Sequence, residues 1–272
     1  MLHSKNIHPY TFVSILEDLN RYNKINSISM RNLNNVPKVI LESKSIGHPI
    51  NYKWTKKKIN KLLDCVEGND DLENILMQIN HKGSMGLTAA LLEWIYWRFT
   101  GYSQATHDTQ KRIEALWCSI NNCVQTNPLL FDTEFEIPAS GSVNGALWIA
   151  LMNVRIIDAR YRKGSYFLQN DLVGLVLLAR HITPKKKNFD SWFEQTIMKL
   201  THSHPNPYKK DKLDESDEAV YDSSNEPVIC REFFFDEKFE YSVEASENAI
   251  HGFIDSLDHK ANSFLNLPKK AS

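Results

Sequence analysis

Hydrophobic residues recur at helical spacing, three to four positions apart, along most of the chain. This spacing predicts helices over residues 11–22, 54–66, 70–79, 84–101, 107–124, 143–162, 171–181, 191–202 and 246–257. Ser84 is the predicted N-cap of the most aromatic of them, and Gly101 its predicted end. Since strand and helix patterns do not alternate, we expect a mainly α fold, a helical bundle-like domain with a few short strands near the C-terminal part.

Three stretches depart from the helical pattern. The segment 228–241, VICREFFFDEKFEY, predicts a short strand, and the turn-rich segment 131–142 has room for another. Two prolines and a glycine make 32–49 irregular, with a short extended piece at VPKVILES. We expect residues 1–272 to form a single α-dominated domain, in which 203–228 is an exposed polar acidic loop and 268–272 a frayed tail.

Composition places the chain among ordinary globular proteins. It has 272 residues, 42% of them hydrophobic, and a formal net charge of −1. This balance argues against a protein whose whole surface binds nucleic acid or an anionic membrane. The apolar runs at 146–154 and 172–179 are far shorter than a membrane span, and the four cysteines lack the spacing of a disulfide scaffold. We therefore expect a cytoplasmic protein with reduced thiols.

The near-zero net charge hides a strong segregation. Residues 1–202 carry a formal charge of +6 and residues 203–272 carry −7, and within 211–247 thirteen acids face three bases. Concentrated like charge steers a basic partner and raises its association rate. The residues predicted to bind a partner are Asp211, Asp214, Glu215, Asp217, Glu218, Tyr221, Asp222, Glu226, Asp236 and Glu237. The alternative interpretation is a solvated face that only keeps the protein soluble.

The sequence offers no strong catalytic or metal-binding pattern. His202 and His204 form a His-x-His pair, but this spacing is common by chance. Two acidic clusters superficially resemble the carboxylate and lysine groups of metal-dependent nucleases, which usually lie on a sheet. They are Asp132, Glu134 and Glu136, and Glu232, Asp236, Glu237 and Lys238. We expect no catalytic residue, no metal site and no cofactor.

Several hydrophobic motifs together resemble the α-helical immunity proteins of bacterial toxin–immunity pairs, of the kind encoded beside type VI secretion nuclease effectors. They are LLEWIYWRFTG (91–101), IEALWCSI (113–120), GSVNGALWIALMNVRIIDAR (141–160), LLARHITP (177–184), FDSWFEQTIMKL (189–200) and EASENAIHGFIDSLDHKANSFL (244–265). The resemblance implies a cytosolic inhibitor that binds a cognate toxin, often a DNase with a basic surface. It transfers no site residues, because immunity proteins contact their toxins through divergent surfaces.

Two other classes of protein stay open. The first is an enzyme whose site uses Glu93, Arg98, His107 or His181 in a helical cavity. A bound ligand or a deep pocket that gathers these groups would distinguish it. The second is a helical adaptor of a secretion assembly, which would bind structural secretion components and no toxin.

Overall fold

Ten α-helices and three single-turn helices build the fold in a computed structural model, which describes residues 33, 35–63, 68–103, 106–131, 140–207, 220–258 and 260–267. The α-helices are α1 (Lys38–Glu42), α2 (Lys56–Leu63), α3 (Asp70–Leu76), α4 (His81–Phe99), α5 (Thr106–Asn121), α6 (Ala146–Lys163), α7 (Leu172–Ile182), α8 (Lys186–Ser203), α9 (Arg231–Phe235) and α10 (Val243–Asp255). A 3₁₀ turn over Cys123–Gln125 follows α5, a π turn over Gly141–Gly145 precedes α6, and a 3₁₀ turn over Leu168–Asp171 precedes α7. The predicted helix over 11–22 lies outside the described residues.

Helix α4 is the centre of the fold and packs against α5, α6 and α7. Every residue of α4 except Tyr96 is buried. Neighbouring helices therefore cover this helix on all its faces, and not along one apolar stripe. The predicted cap was wrong. Asn80 is the N-cap and its side chain accepts a hydrogen bond from the amide of Gly83, while Ser84 lies within the helix.

The mainly α architecture is confirmed, but the predicted short strands are not found in the described part of the chain. Its only strand-like pairings are two isolated bridges, between Ile79 and Pro205 and between Thr126 and Leu265. The segment predicted as a strand near 228–241 contains α9 instead. Three consecutive phenylalanines, Phe233–Phe235, are all buried there, which a helix surrounded by neighbours allows and a one-sided strand does not. Most of 131–142 lies outside the described residues.

The segment 32–49 also differs from its prediction as irregular chain. Pro37 is the N-cap of α1, with a backbone φ of −60° and ψ of 137°. Proline favours helix starts because its φ is already fixed near the helical value. Helix α8 begins at Lys186, five residues before its predicted start, so part of the segment between the predicted helices 171–181 and 191–202 is helical.

Candidate protein-binding surface

The ten predicted contact residues divide into two sets. Five of them, Asp211, Asp214, Glu215, Asp217 and Glu218, lie outside the described residues. The other five lie in two places, on the segment 220–226 and directly after α9. These five residues therefore show the surroundings of the predicted contacts from residue 220 onward.

The segment 220–226 crosses the C-terminal end of α6. The amide of Tyr221 donates a 2.9 Å hydrogen bond to the carbonyl of Gly164. Gly164 has a φ of +64°, and a Cβ there would lie 2.3 Å from the Tyr221 carbonyl oxygen. Only glycine suits this close approach and this left-handed backbone. The Tyr221 ring also stacks on His81 with 4.5 Å between ring centroids, so Tyr221 is a packing residue as well as a predicted contact.

Glu226 lies at the start of α4 and is already engaged there. Its carboxylate accepts hydrogen bonds from the amides of His81 and Lys82, at 3.2 and 2.7 Å, and from the Tyr221 hydroxyl at 2.8 Å. Amide donors at a helix N-terminus and the helix dipole both favour a negative charge. Burial nevertheless raises the pKa of Glu226 above its ordinary value. This carboxylate holds the segment 220–226 against the core, a role that a count of charges does not detect.

Asp236 and Glu237 directly follow α9. The Asp236 carboxylate accepts the amide of Lys238 at 2.9 Å, and the exposed Glu237 forms an ion pair with Lys38 at 3.2 Å. Both acids line a cleft of about 310 Å³ that also includes Trp192, Phe234 and Phe235. Two lysines, Lys187 and Lys199, also line this cleft, which therefore combines side chains of both charges with aromatic rings.

Residues 220–258 carry far more acid than base. Two basic residues, Arg231 and Lys238, stand against ten acids: Asp222, Glu226, Glu232, Asp236, Glu237, Glu240, Glu244, Glu247, Asp255 and Asp258. Arg231 is 2% exposed, so it adds no cation to the surface. We call the exposed set Asp222, Glu237, Glu240, Glu244 and Glu247 the acidic surface.

Electrostatic contacts connect the two ends of the acidic surface. Asp222 and Glu247 both interact with the charge of Lys82, which also contacts Glu226. Glu244 and Glu247 are three residues apart on α10 and so share a face. Among the residues described, only Glu237 of this set forms an ion pair with a Lys or Arg. Most of these carboxylates therefore remain directed to solvent.

The residues of the enzyme alternative have separate surroundings in the described part of the chain. Glu93 accepts hydrogen bonds from Arg231 Nε at 2.8 Å and from Trp97 Nε1 at 3.2 Å. Arg98 donates to the carbonyls of His48 and Ile182. His181 packs against Tyr52 at 5.2 Å, and His107 lies exposed on α5. The buried partners satisfy Glu93 and Arg98, so these two charges hold elements together.

The pairing of Glu93 with Arg231 was not predicted. The two residues are 138 positions apart, and Arg231 was counted as part of the acidic segment. The detectable signal was that Glu93 lies within an apolar run and that apolar residues flank Arg231-Glu232 on both sides, since a charge in such surroundings requires a partner when it is buried.

The metal-ligand candidates are not assembled in the described part of the chain. His204 is buried and its Nδ1 contacts the hydroxyl of Ser203 at 2.8 Å, while His202 is exposed. Among the described residues, no three His, Cys, Asp or Glu side chains are arranged to hold a metal ion. The helices in these ranges also lack the combined length and apolar character that a membrane crossing requires.

Comparisons of the chain with known protein families, characterised proteins and solved structures found no match. Its fold is that of a mainly α protein with an acidic surface in its C-terminal part.

Proposed function

We propose that this chain is a cytoplasmic immunity protein that binds and neutralises a cognate secreted antibacterial toxin, a nuclease effector of the type VI secretion kind. The observation that carries the proposal is the acidic surface, whose carboxylates face solvent, while Glu93, Arg98 and Arg231 of the core are held by hydrogen bonds within the chain. The sequence resemblance to helical immunity proteins supports the same function. A nuclease toxin fits as the partner because its DNA-binding surface is basic.

The acidic surface suits fast capture of such a toxin. Its charges act over about a Debye length, roughly 8 Å at physiological ionic strength, and complementary charge raises the association rate. Half-buried Phe239 and Tyr241 lie between Glu237 and Glu244, and Val243 is 47% exposed. Aromatic and aliphatic anchors surrounded by polar groups are typical of protein interfaces.

The experiment uses the protein encoded by the gene next to that of this chain. Co-expression should rescue cells from its toxicity, and the two purified proteins should form a complex whose association rate falls as salt increases. Absence of both rescue and complex formation would contradict the proposal. Binding to structural secretion components without rescue would favour the adaptor instead.

A matched pair of variants tests the role of the surface. Glu247 and Glu194 are both exposed glutamates on helices, but only Glu247 belongs to the acidic surface. We expect Glu247→Lys to slow association several-fold at low salt and Glu194→Lys to leave it unchanged. Equal rates for the two variants would show that the acidic surface does not steer the toxin.

A further inference from the structure

A second cleft, of about 470 Å³, lies where the C-terminal ends of α5 and α6 meet the segment 220–224. Ser119 and Asn122 contribute from the end of α5, Tyr161 from the end of α6, and Asp222 from the crossing segment. Lys82, at the start of α4, also lines the cleft. Small-molecule sites in proteins typically measure about 300–1,000 Å³ and carry a few convergent polar groups.

Ser119 is the most unusual residue of this cleft. It is 2% exposed, and its Oγ has no hydrogen-bond partner among the described residues. Buried hydroxyl groups nearly always have a partner, and a serine in a helix can use the carbonyl four residues earlier. A deep, unused donor and acceptor in the wall of a cleft points to a group that enters from the cleft.

The wall opposite α5 is held in place before any ligand binds. Tyr221 is fixed to Gly164 by a 2.9 Å backbone hydrogen bond and to His81 by ring stacking. The Tyr161 hydroxyl is hydrogen-bonded to the Ser223 side chain. A preformed wall lowers the entropic cost of binding.

The remaining hydrogen-bonding capacity defines the class of ligand. Lys82 Nζ donates to the carbonyls of Ser224 and Glu226, which leaves one of its three protons. Asn122 uses its side-chain oxygen for the amide of Val124 and keeps its NH₂ donors. Arg162 also lines the cleft, but its charge is paired with Asp158 at 2.9 Å. Lys82 and Asp222 then contribute one charge of each sign, so the cleft presents both donors and acceptors.

We propose that this cleft binds a small molecule with no net charge and several hydrogen-bonding groups, of the chemistry shared by monosaccharides and zwitterionic amino acids. Ser119 Oγ is the deepest contact of that ligand. The cleft shares Asp222 with the acidic surface, but the proposal does not rest on toxin binding, because its test uses the purified chain alone.

The test measures binding to the purified full-length protein by calorimetry and ligand-observed NMR. One arm uses glucose and N-acetylglucosamine, and the other uses glycine and glutamine. Variants Ser119→Ala and Ser84→Ala form a matched pair. Both serines lie in core helices with a buried, unpartnered Oγ, but Ser84 does not line the cleft.

We expect saturable binding in one arm, weakened at least tenfold by Ser119→Ala and unchanged by Ser84→Ala. The arm that binds identifies the ligand as a sugar or an amino acid. Absence of saturable binding in both arms up to about 10 mM overturns the proposal. Equal affinities of the two variants also overturn it, since the ligand would then lie elsewhere.

Discussion

The core around α4 and the acidic surface differ in whether their charged side chains have partners within the chain. In the core, Glu93 and Arg231 are both buried and meet each other, and buried Arg98 donates to backbone carbonyls. On the surface, Glu240, Glu244 and Glu247 remain exposed. A buried charge without a partner is costly, while an exposed one costs little. Charges in the core therefore determine stability, and those on the surface are available for a partner.

The largest expected effect comes from breaking the buried pair. Arg231→Met leaves the Glu93 carboxylate buried without its cation, and we expect the free energy of unfolding to fall by about 3–5 kcal/mol. Urea denaturation measures this change. The control is Arg180→Met, which removes an exposed pair with Asp190 and should cost about 1 kcal/mol or less. Equal losses for the two variants would contradict the difference drawn between core and surface.

A smaller effect concerns the dependence of stability on pH. Burial lowers the pKa of His204 to about 4, whereas its ordinary value is about 6.5. Between these values the unfolded chain binds more protons, so stability is complete above about pH 6.5 and is lost as the pH falls towards 4. His81 behaves in the same way. Asp171, whose pKa is raised to about 6 by burial, acts in the opposite direction.

Single histidine substitutions isolate this contribution. We expect His204→Gln to reduce the loss of unfolding free energy between pH 7 and 4.5 by about 2 kcal/mol. His202→Gln, which changes an exposed histidine two residues away, should leave the pH profile as it is. Urea titrations at several pH values give both profiles. Superimposable curves for wild type and His204→Gln would contradict the prediction.

The helices were predictable wherever a periodic apolar pattern was long enough. The patterns of α5, α6 and α7 led to the right elements within a few residues. Local patterns failed where a neighbour decides the outcome. Asn80, and not Ser84, caps α4. Phe233–Phe235 were predicted as part of a strand, because the sequence alone does not show the Trp192 and Trp117 rings that pack around them.

The candidate site was predictable only in its net charge. A count of acids marked the C-terminal part, but it could not separate Glu226, which accepts amide hydrogen bonds at the start of α4, from Glu247, which faces solvent. That separation depends on the position of the segment 220–226 across Gly164. Long-range packing of this kind leaves no spacing signature in one sequence.

The smallest expected effect on stability, and a direct test of the surface, concerns the predicted acidic contacts upstream of the described segment. Changing Asp214, Glu215, Asp217 and Glu218 to lysine should slow association with the toxin and weaken its salt dependence, because the steering field is reversed there. The thermal midpoint should stay nearly constant. The neutral counterpart, with Asn and Gln at these positions, should give an intermediate rate. If the charge sets the rate, association is fastest for wild type, slower for the neutral variant and slowest for the lysine variant. Equal on-rates for all three would assign toxin capture to other residues.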